Sequence, residues 1–195
     1  MQASSHHSIA IALLALLVPT TGLAVVSNIN NASTDGAVFD GGSDWGAQGF
    51  RTPSYPHKLT SIRVSLENFA GGNSQARIEL YSNAGNNLPG ASIEDLGVIT
   101  FGGGQKYSIS ATGNTLLEAN TQYWVVLKFV SGDFNWDVTT NQTTTGPGTL
   151  EGFGRFSSNA GGGWGGGPFG GLPGRGERHA AARRDQLRLG PGEYP

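Results

Sequence analysis

The stretch Tyr123-Trp-Val-Val-Leu-Lys-Phe129 decides the fold of this chain. It is a nearly continuous apolar and aromatic run, interrupted only by a single lysine. Aromatic and β-branched residues favour extended backbone, and an apolar run without alternation is typical of a strand covered on both faces. We therefore predict a central β-strand that is buried on both sides.

Two further segments alternate apolar and polar residues with the period of a half-buried strand. In the first, Ile62, Val64 and Leu66 alternate with polar neighbours, and in the second Ile78 and Leu80 do so. Weaker candidates for strands are Gly46–Thr52, Gly97–Phe101, Lys106–Ser110, Phe134–Thr139 and Gly152–Phe156.

Turn-forming residues separate these segments, for example at Gly71-Gly72-Asn73, Pro89-Gly90 and Gly146-Pro147-Gly148. No part of the body sustains a helical apolar period beyond two turns. The pattern predicts an all-β fold, an antiparallel β-sandwich of jelly-roll-like type with about eight to ten strands.

Composition limits the classes of function. Charged residues make up 13% of the chain, the formal charge is −2, and glycine occurs 32 times. A weakly acidic chain lacks the basic surface that binds nucleic acid, so we expect no nucleic-acid partner. Cysteine is absent, so no disulfide framework is possible and packing must stabilise the domain.

The N-terminus has the pattern of an export signal. Ile9–Val18 is an unbroken apolar run, shorter than the roughly 20 residues that a transmembrane helix needs. Gly22 and Ala24 place small residues before a cleavage point. We predict a signal peptide over residues 1–24, a secreted or cell-surface location, and no transmembrane anchor after its removal.

The composition changes again near residue 160. Residues 25–160 contain seven basic and eleven acidic side chains, whereas the remainder contains five arginines and three acids. We predict a β-sandwich domain over 25–160 and a disordered Gly/Arg/Pro-rich tail over 161–195. The tail is also typical of a GC-rich gene read in the wrong frame after about Pro168, a hypothesis that resequencing tests.

Several motifs carry a family resemblance. They are Trp45-Gly46-Ala47-Gln48-Gly49-Phe50, Leu59-Thr60-Ser61-Ile62, Leu80-Tyr81-Ser82-Asn83 with Leu88-Pro89-Gly90, and Leu117-Glu118-Ala119-Asn120-Thr121-Gln122-Tyr123-Trp124. In this order they resemble the choice-of-anchor R domain, from about Asn28 to Trp164. The resemblance implies a bacterial exported or surface module with no established catalytic residues. Many such proteins end in a PEP-CTERM sorting tail, which this C-terminus lacks.

Two candidate binding sites follow from residue types. Asp35, Asp40 and Asp44 surround a glycine-rich loop and could hold Ca²⁺, although their spacing is not that of an EF-hand; a plain turn cluster is the alternative. Trp45 and Trp136 flank loops and could stack on sugar rings, although sandwich cores also use such rings.

Catalytic patterns are weak. His57 lies in a turn that enters a strand, with no cysteine or zinc-spaced histidine pair in the body. Carboxylates that could support glycoside hydrolysis by type are Glu67, Glu79, Glu94, Asp95 and Glu118. Asn31 and Asn141 begin N-glycosylation sequons, which in a bacterial protein we interpret as turns.

The leading hypothesis is a non-catalytic, exported module of the cell surface or extracellular matrix. The alternative is a carbohydrate-binding module acting on exopolysaccharide, and the third is a carboxylate hydrolase. We expect no enzyme activity and no cofactor, with calcium as the one open exception.

Overall fold

The computed structural model of the chain describes residues 37–68, 71–137 and 145–167. Within these residues the backbone forms strands and turns and no helix, so the predicted all-β class is confirmed. The predicted signal peptide, Asp35, both sequons and residues 168–195 lie outside the described residues.

Twelve strands are formed by the described residues. They are β1 (Ala37–Phe39), β2 (Trp45–Arg51), β3 (His57–Lys58), β4 (Ser61–Asn68), β5 (Ser74–Asn83), β6 (Pro89–Phe101), β7 (Gln105–Ser110), β8 (Leu116–Leu117), β9 (Gln122–Ser131), β10 (Phe134–Trp136), β11 (Thr149–Ser157) and β12 (Gly165–Gly167).

The strands form two main antiparallel sheets. The smaller has the order β1-β10-β4-β7 and the larger β12-β11-β2-β9-β5-β6, with β3 and β8 as a separate pair. Without β11 and β12, the eight main strands form two four-stranded sheets between which the chain crosses repeatedly. The orders β1-β10-β4-β7 and β2-β9-β5-β6 are those of a jelly roll, so the predicted sandwich is confirmed.

Strand β9 is the predicted central strand. It pairs with β2 on one side, where Val126 lies opposite Ala47, and with β5 on the other, where Val126 lies opposite Glu79. Its side chains alternate between two apolar clusters: Tyr123 and Leu127 face the smaller sheet, while Val126 faces outward. Both faces are covered, as the apolar run predicted.

Aromatic rings fill the space between the two sheets. Phe134 stacks on Phe39 with ring centroids 5.0 Å apart, and Phe101 meets Phe134 edge-on at 5.1 Å. Phe129 of the larger sheet stacks on the same ring at 6.0 Å. These contacts link β1, β10, β6 and β9 through one side chain of the short strand β10.

Gly46 allows the rings of this core to approach the backbone of β2. A Cβ atom at this position would lie 2.8 Å from Cζ of Phe39 and 3.2 Å from Cε3 of Trp136. Phe39 is fully buried, so its ring has little space into which it could move.

The C-terminal boundary of the domain lies further along than the sequence predicted. Residues 161–164 form a turn, β12 pairs with β11, and Trp164 packs on Trp45. The prediction that the tail is disordered from residue 161 is therefore wrong for 161–167. Glycine lacks an apolar side chain, so the glycine run gave no strand pattern.

Strand β6 is the second departure from the sequence prediction. It runs from Pro89 to Phe101, whereas the prediction started at Gly97 and assigned Pro89-Gly90 to a turn. Its register with β5 is interrupted three times. Such irregularities break strict alternation, and a sheet edge tolerates proline at a strand start because no partner needs its missing N–H.

We predict that Gly46→Ala destabilises the protein by about 1–3 kcal/mol, because the added methyl group overpacks the ring of Phe39. Gly42→Ala is the matched control, since a Cβ atom there meets nothing within 4 Å. Urea denaturation of both variants measures the effect. Equal midpoints for Gly46→Ala and the wild type would contradict this account of the core.

Candidate functional site

The outer face of the larger sheet carries a second apolar cluster. Its buried members are Ala47, Tyr81, Trp124 and Val126, and Trp45 and Trp164 pack against them partly buried. We call these six residues the outer-face cluster. A sandwich normally exposes this side of a sheet to water, so its burial means that other groups cover it.

A buried ion pair crosses this face. Nζ of Lys128 lies 2.5 Å from Oε1 of Glu79 and 4.1 Å from the ring centroid of Trp45. Ser92 donates a hydrogen bond of 2.7 Å to the other oxygen of Glu79. Burial is the largest single effect and opposes the charged form of Lys128, but the hydrogen bonds and charge interactions with Glu79 and Tyr81 together outweigh it, so the pKa of the ammonium is raised.

The loop between β5 and β6 covers the middle of the face. Trp124 is fully buried and donates its indole N–H to Oδ1 of Asn83 at 3.2 Å. The guanidinium carbon of Arg155 lies 6.0 Å from the ring of Trp124, and Nε of Arg155 donates to the carbonyl of Asn87 at 2.8 Å. The loop is thereby connected to β11 across the sheet.

The two tryptophans predicted to stack on sugars lie in different places. Trp45 belongs to the outer-face cluster, where Lys128 lies over its ring and Trp164 packs at 6.4 Å. Trp136 is 7% exposed and belongs to the core between the sheets. The expectation that Trp136 offers an open ring is therefore corrected: β10 lies inside the smaller sheet, and its aromatic residues pack inward.

The predicted calcium loop is only partly described. Asp44 is fully buried, its Oδ2 accepts the backbone N–H of Asp40 at 3.3 Å, and its own N–H bonds to the carbonyl of Gly41 at 2.9 Å. Asp44 thus closes the turn before β2. The described residues contain no group of three potential metal ligands, and with Asp35 outside them the calcium site stays a prediction.

The carboxylates near β6 have structural partners. Oε1 of Glu94 accepts the backbone N–H groups of Thr112 and Gly113 at 3.0 and 2.9 Å. A hydrogen bond from Thr115, followed by that from Gly113, lowers the pKa of Glu94. Asp95 forms an exposed ion pair with Arg77.

The remaining catalytic candidates are scattered. Glu67 lies in β4 opposite Asn135, and Glu118 is exposed before β9. His57 lies in β3 opposite Leu117, with its ring 4.8 Å from that of Tyr55. The structure brings no histidine and carboxylate pair together at hydrogen-bond distance among these residues.

An open depression lies at one end of the larger sheet, where sequence reasoning placed no site. It has a volume of about 530 Å³ and is widely open to solvent. We call it the end depression. Its lining residues come from the ends of β2 and β5, from the interior of β6, and from the start of β9 with the turn before it, namely Arg51, Ser82, Asn83, Ile93 and residues 120–123.

Most of the lining residues of the end depression are polar, although Ile93 and Tyr123 give it apolar surface as well. Arg51 donates to the carbonyl of Asn120 at 2.9 Å and, more weakly, to Oε1 of Gln122 at 3.5 Å. Nε2 of Gln122 is buried and has no hydrogen-bond partner among the described residues. Arg51 and Gln122 lie opposite each other on β2 and β9, and only the pairing of two predicted strands could have indicated this.

A half-buried carboxyl, that of Asp137, directly follows β10. Ser65 donates to Oδ2 of Asp137 at 2.7 Å, and the backbone N–H of Asp137 bonds to the carbonyl of Ser65. Burial raises the pKa of Asp137, although the bond from Ser65 acts in the opposite direction.

Comparison with known proteins does not extend this description. Neither protein-family models nor curated proteins nor solved structures gave a match to the chain. Among residues 37–68, 71–137 and 145–167, no helix is sufficiently long and apolar to span a bilayer.

We predict that Lys128→Met destabilises the protein by about 1–3 kcal/mol, because it leaves the carboxylate of Glu79 buried without its cation. The side chains of Lys128 and Glu79 are 15% and 8% exposed. Adding Glu79→Gln to Lys128→Met should recover part of the loss, since no charge then remains unpaired.

The control for this pair is Arg77→Met on the neighbouring part of β5. The side chains of Arg77 and Asp95 are 41% and 46% exposed, so this substitution should cost less than about 1 kcal/mol. Chemical denaturation of all variants gives the comparison. Equal losses for Lys128→Met and Arg77→Met would refute a special role for the buried pair.

Ionisation of Asp137 should lower the stability of the folded protein as the pH rises. Because its pKa is raised on folding, the carboxyl contributes stability at low pH that is lost as the pH rises through its folded pKa. Asp137→Asn keeps an acceptor for Ser65 and cannot ionise, so its Tm relative to the wild type should increase from acid to neutral pH.

Glu94→Gln should show the opposite trend. Because the pKa of Glu94 is lowered on folding, its carboxylate stabilises the folded protein above the unfolded-state pKa. This stabilisation is lost as the pH falls through the folded-state pKa. Its Tm deficit should therefore be largest at neutral pH and shrink in acid. Differential scanning calorimetry from pH 3 to pH 8 measures both variants, and parallel profiles would be inconsistent with these assignments.

Proposed function

We propose that this chain is a non-catalytic module that is exported to the cell surface or the extracellular matrix. The observation that carries the non-catalytic part of the proposal is that three carboxylates of the larger sheet already have hydrogen-bond or ion-pair partners within the protein. Glu79 is held by Lys128 and Ser92, Glu94 by two backbone N–H groups, and Asp95 by Arg77. Glycoside hydrolysis needs one carboxyl that donates a proton and one that acts as base or nucleophile.

Export is supported by the sequence of residues 1–24, with its apolar run and small residues before Ala24. The resemblance to the choice-of-anchor R domain supports a bacterial surface or matrix location. The jelly-roll fold is compatible with this role and with many others, so it adds no weight by itself.

We expect the full chain, expressed in a bacterial host, to leave the cytoplasm and to begin at Val25 after processing. Cell fractionation and mass spectrometry of the purified protein measure both outcomes. Leu14→Asp interrupts the apolar run and should keep the unprocessed chain inside the cell. Wild-type protein that stays cytoplasmic with residues 1–24 attached would disprove export.

The non-catalytic part has its own test. We expect no turnover of polysaccharide, ester or peptide substrates by the purified protein. Reproducible turnover that is abolished by Glu67→Gln or Glu79→Gln, with the fold retained by circular dichroism, would refute it in favour of a hydrolase.

A second function, binding of carbohydrate, is supported by the end depression. Its amide and guanidinium groups at the sheet end are the polar, planar groups that hydrogen-bond hydroxyls. Pull-down of the protein on insoluble polysaccharides tests this function independently of where the ligand lies.

A further inference from the structure

We infer that the end depression binds a saccharide, with Arg51 and Asn83 as its hydrogen-bonding residues and Gln122 at its base. This inference rests on the second proposed function and adds the location of the site. In this inference Trp45 and Trp136 are not the sugar-binding residues, because both rings pack against other side chains of the protein.

The polar groups converge because four neighbouring strands begin, end or pass at this end of the sheet. Arg51 is the last residue of β2, Gln122 is the first of β9, and Asn83 is the last of β5. Adjacent strands are about 4.8 Å apart, so three strand ends present side chains over a span comparable to one or two sugar rings.

The hydrogen-bonding capacity of these residues fits hydroxyl groups. Each sugar hydroxyl both donates and accepts, so amides with both functions are suitable partners. The oxygen of Asn83 accepts the indole N–H of Trp124, which fixes the amide and leaves its N–H₂ as a donor. Arg51 is held by the carbonyl of Asn120 and by Gln122, and these bonds use only part of its five N–H groups.

Gln122 supplies an independent observation. The residue is 5% exposed, and its Nε2 has no acceptor among the described residues. A buried amide without a partner costs free energy. A ligand hydroxyl that enters beside Arg51 and accepts from this nitrogen, after a small rotation of the amide, would remove the cost.

The apolar and electrostatic surroundings also favour a sugar. Ile93 lines the depression and is 43% exposed, which suits the C–H face of a pyranose. Arg51 is the one cationic residue of the lining, and the whole chain carries a net charge of −2. A polyphosphate or nucleic acid would need several cations in the same place, so neutral and uronic-acid saccharides are the class that fits.

The experiment measures binding of oligosaccharides to the processed protein. A glycan array of neutral and uronic-acid oligosaccharides identifies the probe, and isothermal titration calorimetry with it gives the affinity. Arg51→Ala and Asn83→Asp should each weaken binding by roughly tenfold, since each loses hydrogen bonds to the ligand. Asn83→Asp keeps the acceptor for Trp124, removes the amide donors and adds a negative charge, so its effect is read with a neutral oligosaccharide as the probe.

Arg77→Ala is the matched control, because it removes an exposed arginine of the same sheet that does not line the depression. Its affinity should equal that of the wild type. Thermal denaturation of every variant verifies that it is folded. If Arg51→Ala does not fold, Gln122→Leu takes its place, because leucine fills the position without polar atoms. This variant should also weaken binding.

The outcomes separate the two levels of the proposal. If the wild type binds an oligosaccharide and the depression variants bind it equally well, the location is wrong while carbohydrate binding stands. Loss of binding only in Trp45→Ala would assign the ligand to the outer-face cluster and likewise overturn the inference. If no oligosaccharide binds the wild type, both the location and the second proposed function fail.

Discussion

The structure depends on the burial of β9 from both sides. A strand in a two-layer sandwich normally needs cover on one face only, but β9 alternates Tyr123 and Leu127 toward the core with Trp124 and Val126 away from it. Removing both sets of side chains from water stabilises the folded state by about 25 cal/mol per Å² of apolar area buried. This gain requires that polar chain segments be brought over a sheet face that would otherwise be wet.

The cover on the outer face is built from charged and polar groups. Lys128 lies over the ring of Trp45 while its charge is compensated by Glu79, and Arg155 joins β11 to the β5–β6 loop through the carbonyl of Asn87. Trp164 extends the cover from beyond the predicted domain boundary. Because such long side chains have apolar stems, they shield aromatic rings and still keep their charges paired.

Local sequence patterns predicted the fold class and most main strands, because burial on one or two faces leaves a direct signature in β4, β5 and β9. The same patterns missed β12, which has no side chains to carry a pattern, and the first half of β6, where register shifts against β5 break the alternation. They also could not place Trp136, because residue type alone does not distinguish a ring in a core from one on a surface. The end depression requires strand pairing, which is a non-local property.

Because the aromatic residues are used in packing, they limit the surfaces at which this protein can bind a ligand. Trp124 and Tyr81 are buried, Trp45 is covered by Lys128, and Trp136 lies between the sheets, so the flat surface of the larger sheet is already occupied by its own side chains. At the sheet end, Arg51, Asn83 and Gln122 are the terminal residues of β2, β5 and β9. The amide nitrogen of Gln122 has no hydrogen-bond partner among the described residues at this end, and this is why we propose the end of the sheet, rather than its face, as the place for a polar ligand.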